Sequence, residues 1–123
     1  MQLIGPLHTR KNLNLIAFEE STISIIKLGI KASFIFSLNH QLPFFYSSYF
    51  ERLLETSIEE LKNTFKTQTL TKKQIKSIEI VKSKVWAHKV IIHSNNKEFK
   101  FAIQKREEVD NYIQILNNWK ARN

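Results

Sequence analysis

The sequence predicts an α+β fold: a strongly bent antiparallel sheet or partly open barrel, with a mid-chain helix and a C-terminal helix that caps the sheet. Three observations carry this. Short runs rich in β-branched and aromatic residues recur at 13–18, 22–28, 75–81, 85–93 and 98–103, which is strand composition. Two stretches, 48–66 and 107–119, repeat their apolar residues at helical spacing instead. The last three strands lead into a single helix with one apolar stripe, the form that closes a sheet.

Taken in order, Leu13 to Phe18 and Thr22 to Leu28 flank the polar turn Glu19-Glu20-Ser21 and predict a hairpin, with Gly29 ending its second strand. Ser33 to Leu38 predicts a third strand, with Phe34, Phe36 and Leu38 on one face. Pro43 breaks the chain, and Ser48 with Glu51 three residues on makes a capping box. From there Phe50, Leu53, Leu54, Ile58, Leu61 and Phe65 keep helical spacing, which predicts a helix from Ser48 to about Lys66. Thr71-Lys-Lys-Gln-Ile predicts a turn into the strand Ile75 to Val81.

In the strand Val85 to His93, alternation sets Trp86, His88, Val90 and Ile92 on one face and Ala87, Lys89, Ile91 and His93 on the other. The turn Ser94-Asn95-Asn96-Lys97 returns the chain, since Asn tolerates tight-turn conformations. Phe99, Phe101 and Ile103 then alternate with Glu98, Lys100 and Ala102 in Glu98 to Ile103. In the closing helix, Glu107 to Trp119, the residues Val109, Tyr112, Ile113, Leu116 and Trp119 form one stripe, with acids at its start and Lys120 and Arg122 after its end.

The 123 residues fit one domain, 1–123, and a composition 42% hydrophobic and 24% charged is globular. With no cysteine, disulfides, thiolate nucleophiles and zinc-thiolate sites are excluded. The N-terminal Met-Gln-Leu-Ile-Gly-Pro-Leu-His lacks the basic segment and apolar run of a secretion signal, so a cytoplasmic location is the expectation. The most apolar stretch, Phe34 to Phe50, is interrupted by Asn39, His40, Gln41 and Pro43, whereas a membrane helix needs about 20 apolar residues in succession.

The segment Gln74 to Trp119, with Ile-Lys-Ser-Ile-Glu-Ile at 75–80, Lys-Val-Ile-Ile at 89–92, Phe-Lys-Phe-Ala-Ile at 99–103 and the helix through Trp119, resembles the C-terminal half of bacterial pleckstrin-homology-like domains and the related GRAM domains. The resemblance implies a partly open PH-like β-barrel capped by one C-terminal helix that carries a tryptophan. A helix at 48–66 departs from that family's run of strands. The acidic first-hairpin turn, Glu19-Glu20-Ser21, departs from the basic loop of phosphoinositide-binding members.

Catalytic groups are sparse. Asp110 is the only aspartate, and a solvated helix start accounts for it together with Glu107 and Glu108. His88 and His93 fall on opposite faces of a regular strand and cannot share a metal there; His88 reads as a core or rim residue beside Trp86 and His93 as a strand-end residue. With only Gly5 and Gly29, the chain has no P-loop, dinucleotide motif or nucleophile elbow. The expectation is a protein that is not an enzyme and takes no cofactor or metal.

Charge is polarised. Residues 62–106 carry twelve Lys and Arg against Glu79 and Glu98, a net +10 within a chain of +8. Lys72, Lys73, Lys76, Lys82, Lys84, Lys89 and Lys100 are the candidate anion-binding residues, although a solvated outer sheet face accounts for lysines there equally well. Arg106 is the one arginine of the segment, and arginine is the better phosphate ligand. A second candidate surface is the aromatic loop Leu42-Pro43-Phe44-Phe45-Tyr46 with Tyr49 and Phe50. Either core packing or a contact with a partner or second copy explains Phe44, Phe45, Tyr46 and Tyr49. The functional expectation is a non-enzymatic binding or adaptor module whose macromolecular partner is a protein. The alternative is electrostatic binding of nucleic acid or anionic membrane by the lysine-rich half.

Overall fold

A computed structural model describes residues 2–9, 13–28, 55 and 57–122. They form strands β1 (Gln2–His8), β2 (Leu13–Phe18) and β3 (Thr22–Leu28), helix α1 (Ile58–Thr64), strands β4 (Lys66–Thr71), β5 (Ile75–Val81), β6 (Lys89–Ser94) and β7 (Glu98–Ile103), and helix α2 (Val109–Ala121). Short 3₁₀ turns, Lys72–Gln74 and Arg106–Glu108, precede β5 and α2. The expected strand at 33–38, the capping box at Ser48 and the aromatic loop lie outside the described residues.

All seven strands join one antiparallel sheet in the order β4-β3-β2-β1-β7-β6-β5. Among the described residues β4 and β5 are its two edges and do not pair, so the described strands do not close into a barrel. Only the turn Lys72–Gln74 separates these edges in the chain. A 3₁₀ turn advances about 2 Å per residue, so the edges must converge at that end and the sheet must bend to let them. The junction is tied to both neighbouring turns: Lys72 N–H donates to Ser21 O at 3.1 Å, and Asn95 N–H to Gln74 O at 2.9 Å.

The bend creates a concave face, and alternation feeds it. Ile16 and Phe18 of β2, Ile23 and Ile25 of β3, Ile78, Val90, Ile92, Phe99, Phe101 and Ile103 meet there beneath α2, which adds Val109, Tyr112, Leu116 and Trp119. The helix stripe expected from the sequence is therefore the buried face, with Ile113 and Ile115 packed at its margin. Burying a large side chain contributes about 1.5–3 kcal/mol, whereas an exposed ion pair such as Lys82–Asp110, at 2.6 Å, is screened by solvent and contributes little. Packing holds α2 down. Two hydrogen bonds fix its rotation: Tyr112 Oη donates to Gly5 O at 2.9 Å and Trp119 Nε1 to Glu19 O at 2.6 Å.

β2 is buried along its whole length because its other face feeds a second core. Leu13, Leu15 and Ala17 with Ile26 and Leu28 receive Leu61 of α1, flanked by Ile58 and Phe65. Ser57, extended in backbone, caps α1 by accepting from Glu60 N–H at 3.2 Å. The single helix expected to run on to Lys66 is thus interrupted at Ser57 and ends at Thr64, where β4 takes over.

Two strands were not legible. β1 is interrupted by Gly5 and Pro6, where its register with β2 shifts, and β4 is a polar edge strand with Leu70 alone buried. Because β1 precedes β2, the acidic turn 19–21 belongs to the second hairpin rather than the first, which corrects the expectation. The first connection carries Thr9-Arg10-Lys11-Asn12 in the sequence. Glu19 instead holds the fold together: its carboxylate accepts from Lys62 Nζ and Ser24 Oγ, both at 3.0 Å.

Candidate functional site

The lysines singled out in the sequence fall in three places rather than on one face. Lys89 and Lys100 lie on the outward faces of β6 and β7, together with Glu79, His93 and Glu98. Lys100 Nζ is 3.2 Å from Glu98 Oε1, and His93 Nδ1 is 3.0 Å from Glu98 Oε2. That outer face is mixed in charge.

The second place is a groove of about 350 Å³ between β5 and the last turn of α2, lined by Lys72, Ile75, Lys76, Ile78, Trp119 and Lys120. Lys72 is committed to structure: Nζ donates to Trp119 O at 3.0 Å and to Arg122 O, and sits 4.6 Å from the Trp119 ring centroid. It satisfies helix-end carbonyls, as a cation near a helix C-terminus does. Lys76 and Lys120 are exposed beside it, and Lys73 is exposed on the adjoining turn. The groove borders β5, whose outer edge has no partner strand among the described residues. Lys120, missed in the sequence, follows the end of the stripe and looked like ordinary dipole compensation.

The third place is the loop 82–88. Here the strand expected at Val85 to His93 is corrected: β6 begins only at Lys89. The preceding residues turn away because three anchors outweigh the local alternation. Arg106 spans the loop, its guanidinium donating to Trp86 O and Ser83 O, both at 2.8 Å. Ser83 Oγ accepts from Trp86 N–H at 2.9 Å, and buried His88 accepts at Nδ1 from Ser83 N–H at 2.9 Å. Burial first, and then the charges of Arg106 and Lys82, hold the His88 imidazole below its ordinary range. His88 is a buried loop anchor, as far as burial goes what the sequence implied, but Trp86 does not share its face.

Trp86 is instead 73% exposed and Val85 81%, and with Val81 these are the large apolar side chains left in solvent among the described residues. Lys82 and Lys84 flank them. Lys82 Nζ bonds Asp110 Oδ1 at 2.6 Å, and this hydrogen bond and charge draw the Asp110 carboxyl below its usual range. The signal that could have found the loop is Ser83 with His88, two short polar anchors bracketing Val-Trp; the third anchor, Arg106, is twenty residues away and invisible to local pattern.

Among the described residues no group of three His, Asp or Glu side chains is arranged to hold a metal, and no helix is long and apolar enough to cross a membrane. Comparison with protein-family models, with curated proteins and with solved structures gives no match to this chain.

Proposed function

We propose that the chain is a non-enzymatic binding module on a PH-like scaffold, and that its partner is a protein presenting an acidic, extended segment to the groove beside β5. The PH-like reading is supported by a bent antiparallel sheet whose edges converge without pairing and by a closing C-terminal helix that carries Trp119. The observation that carries the partner is the edge of β5, without a partner strand among the described residues, lying along a groove with an apolar floor and a cationic rim. A strand added to a sheet edge gains main-chain hydrogen bonds whatever its sequence, and the adjoining pockets then select its side chains. Half-buried Ile75 selects apolar residues above the buried Ile78 and Trp119, and Lys76 and Lys120 select acidic ones.

The test is titration of the full chain with extended peptides that alternate acidic and apolar residues, read by hydrogen exchange. Protection confined to 75–81, weakened by Lys76→Glu and Lys120→Glu together, is the expected result. Protection elsewhere, or binding indifferent to both reversals, sinks the reading. A second copy pairing along β5 would instead appear as a dimer in light scattering, its protection independent of added peptide.

A further inference from the structure

We infer that the loop 82–88 is a docking tip for an anionic lipid bilayer, with Val85 and Trp86 entering the interface and the neighbouring lysines meeting the headgroups. This surface is separate from the groove. The groove runs along the first half of β5 as far as Ile78 and the tip begins after its end at Lys82, so about 3.3 Å per strand residue sets their near ends roughly 13 Å apart.

Exposure is the first argument. Val81, Val85 and Trp86, clustered at one end of β5, are in water while the other large apolar groups among the described residues are buried or half-buried. A protruding wedge suits a bilayer, which accepts it without offering a matching pocket, and Trp prefers the membrane–water boundary, where its ring is half in hydrocarbon. Shape here is fixed in advance. Arg106, Ser83 and His88 hold the backbone of the tip by four hydrogen bonds, so inserting it orders little further chain.

Charge is the second argument. Lys82, Lys84 and Lys89 lie in or beside the loop and Arg106 beneath it, against Asp110, which pairs with Lys82, and Glu107 and Glu108 beside Arg106. Lys84 and Lys89 are exposed. Long lysine stems let the ammonium reach headgroups while apolar neighbours go deeper. A nucleic-acid surface fits less well: the arginine that would grip a phosphate is spent on two backbone carbonyls of the loop.

Tryptophan emission of the full chain, titrated with vesicles of phosphatidylcholine alone or mixed with phosphatidylglycerol, tests the inference. Emission should shift to the blue with the anionic vesicles only. Trp86→Phe should abolish the shift, because Trp119 is already buried. In vesicle co-sedimentation, Trp86→Ser should weaken binding by about tenfold, and Lys84→Gln by about fivefold, the equivalent of roughly 1 kcal/mol per lysine at an anionic surface. Melting temperatures should stay near wild type, since both side chains are exposed. Emission unmoved at every anionic fraction overturns the inference, as does an equal shift with neutral vesicles. So does a shift reproduced by duplex DNA, which would make the tip a nucleic-acid surface, or one that grows with protein concentration without lipid, which would make it a contact between copies.

Discussion

His88 accepts a hydrogen bond at Nδ1 only while its ring is neutral, so the loop it anchors is sensitive to acid. Its pKa in the folded chain lies below the ordinary 6.5 that the unfolded chain approaches. The unfolded state therefore binds more protons in that window, and the stability conferred by neutral His88 is complete above pH 6.5 and lost as pH falls through the folded value. Tyr112 has the opposite sign. Burial pushes its phenol up to about 12 from 10.0, so the folded state holds the proton longer, and that contribution is complete below pH 10 and lost as pH rises toward 12. Melting temperature measured across pH should decline on both flanks. His88→Asn, whose side-chain oxygen can accept from Ser83 N–H, should reduce the acid decline, and Tyr112→Phe the alkaline one. Unchanged slopes in both variants would show that other groups set them. Little of this was legible beforehand: the expected burial of His88 holds, but the alternation that paired it with Trp86 in one strand fails, because its partner Ser83 and the distant Arg106 hold a loop there instead.

Among the elements, α2 tests how far periodicity alone can be trusted. Its stripe was legible because 3.6-residue spacing survives in the sequence wherever one helix face is buried. Trp119→Ala and Leu116→Ala should each destabilise the chain by about 2–5 kcal/mol. Ile115→Ala, at the margin of the core, should cost clearly less. Equal thermal shifts for Leu116→Ala and Ile115→Ala would mean that α2 rotates in solution relative to the sheet. β1 and β4 were missed for physical reasons of their own. Gly5-Pro6 destroys the alternation of β1, and Lys-Thr-Gln-Thr-Leu-Thr at 66–71 has the polar composition that suits an edge. The two candidate surfaces divide likewise: the lysines could be named from composition, but which of them share a groove or a loop depends on pairings between strands far apart in the chain.

For the molecule as a whole, β1 is the keystone, pairing with β2 on one side and with β7 through Leu7↔Ile103 and His8↔Ala102 on the other. Gly5 lets it pass: its φ is +143°, and an added Cβ would lie 2.6 Å from Leu15 Cδ2 and 3.1 Å from Asn14 O. Gly5→Ala should therefore lower the melting temperature strongly while leaving one cooperative transition, since both cores lean on the same strand. Two separate transitions in calorimetry would show that the halves of the sheet fold independently. The same connectivity has a consequence during synthesis. β1 leaves the ribosome about ninety residues ahead of β7, an interval of roughly five to twenty seconds at ordinary elongation rates. Through that interval its second side can find no native strand, so the nascent chain exposes an apolar edge that a chaperone must shield or a neighbouring nascent chain can capture.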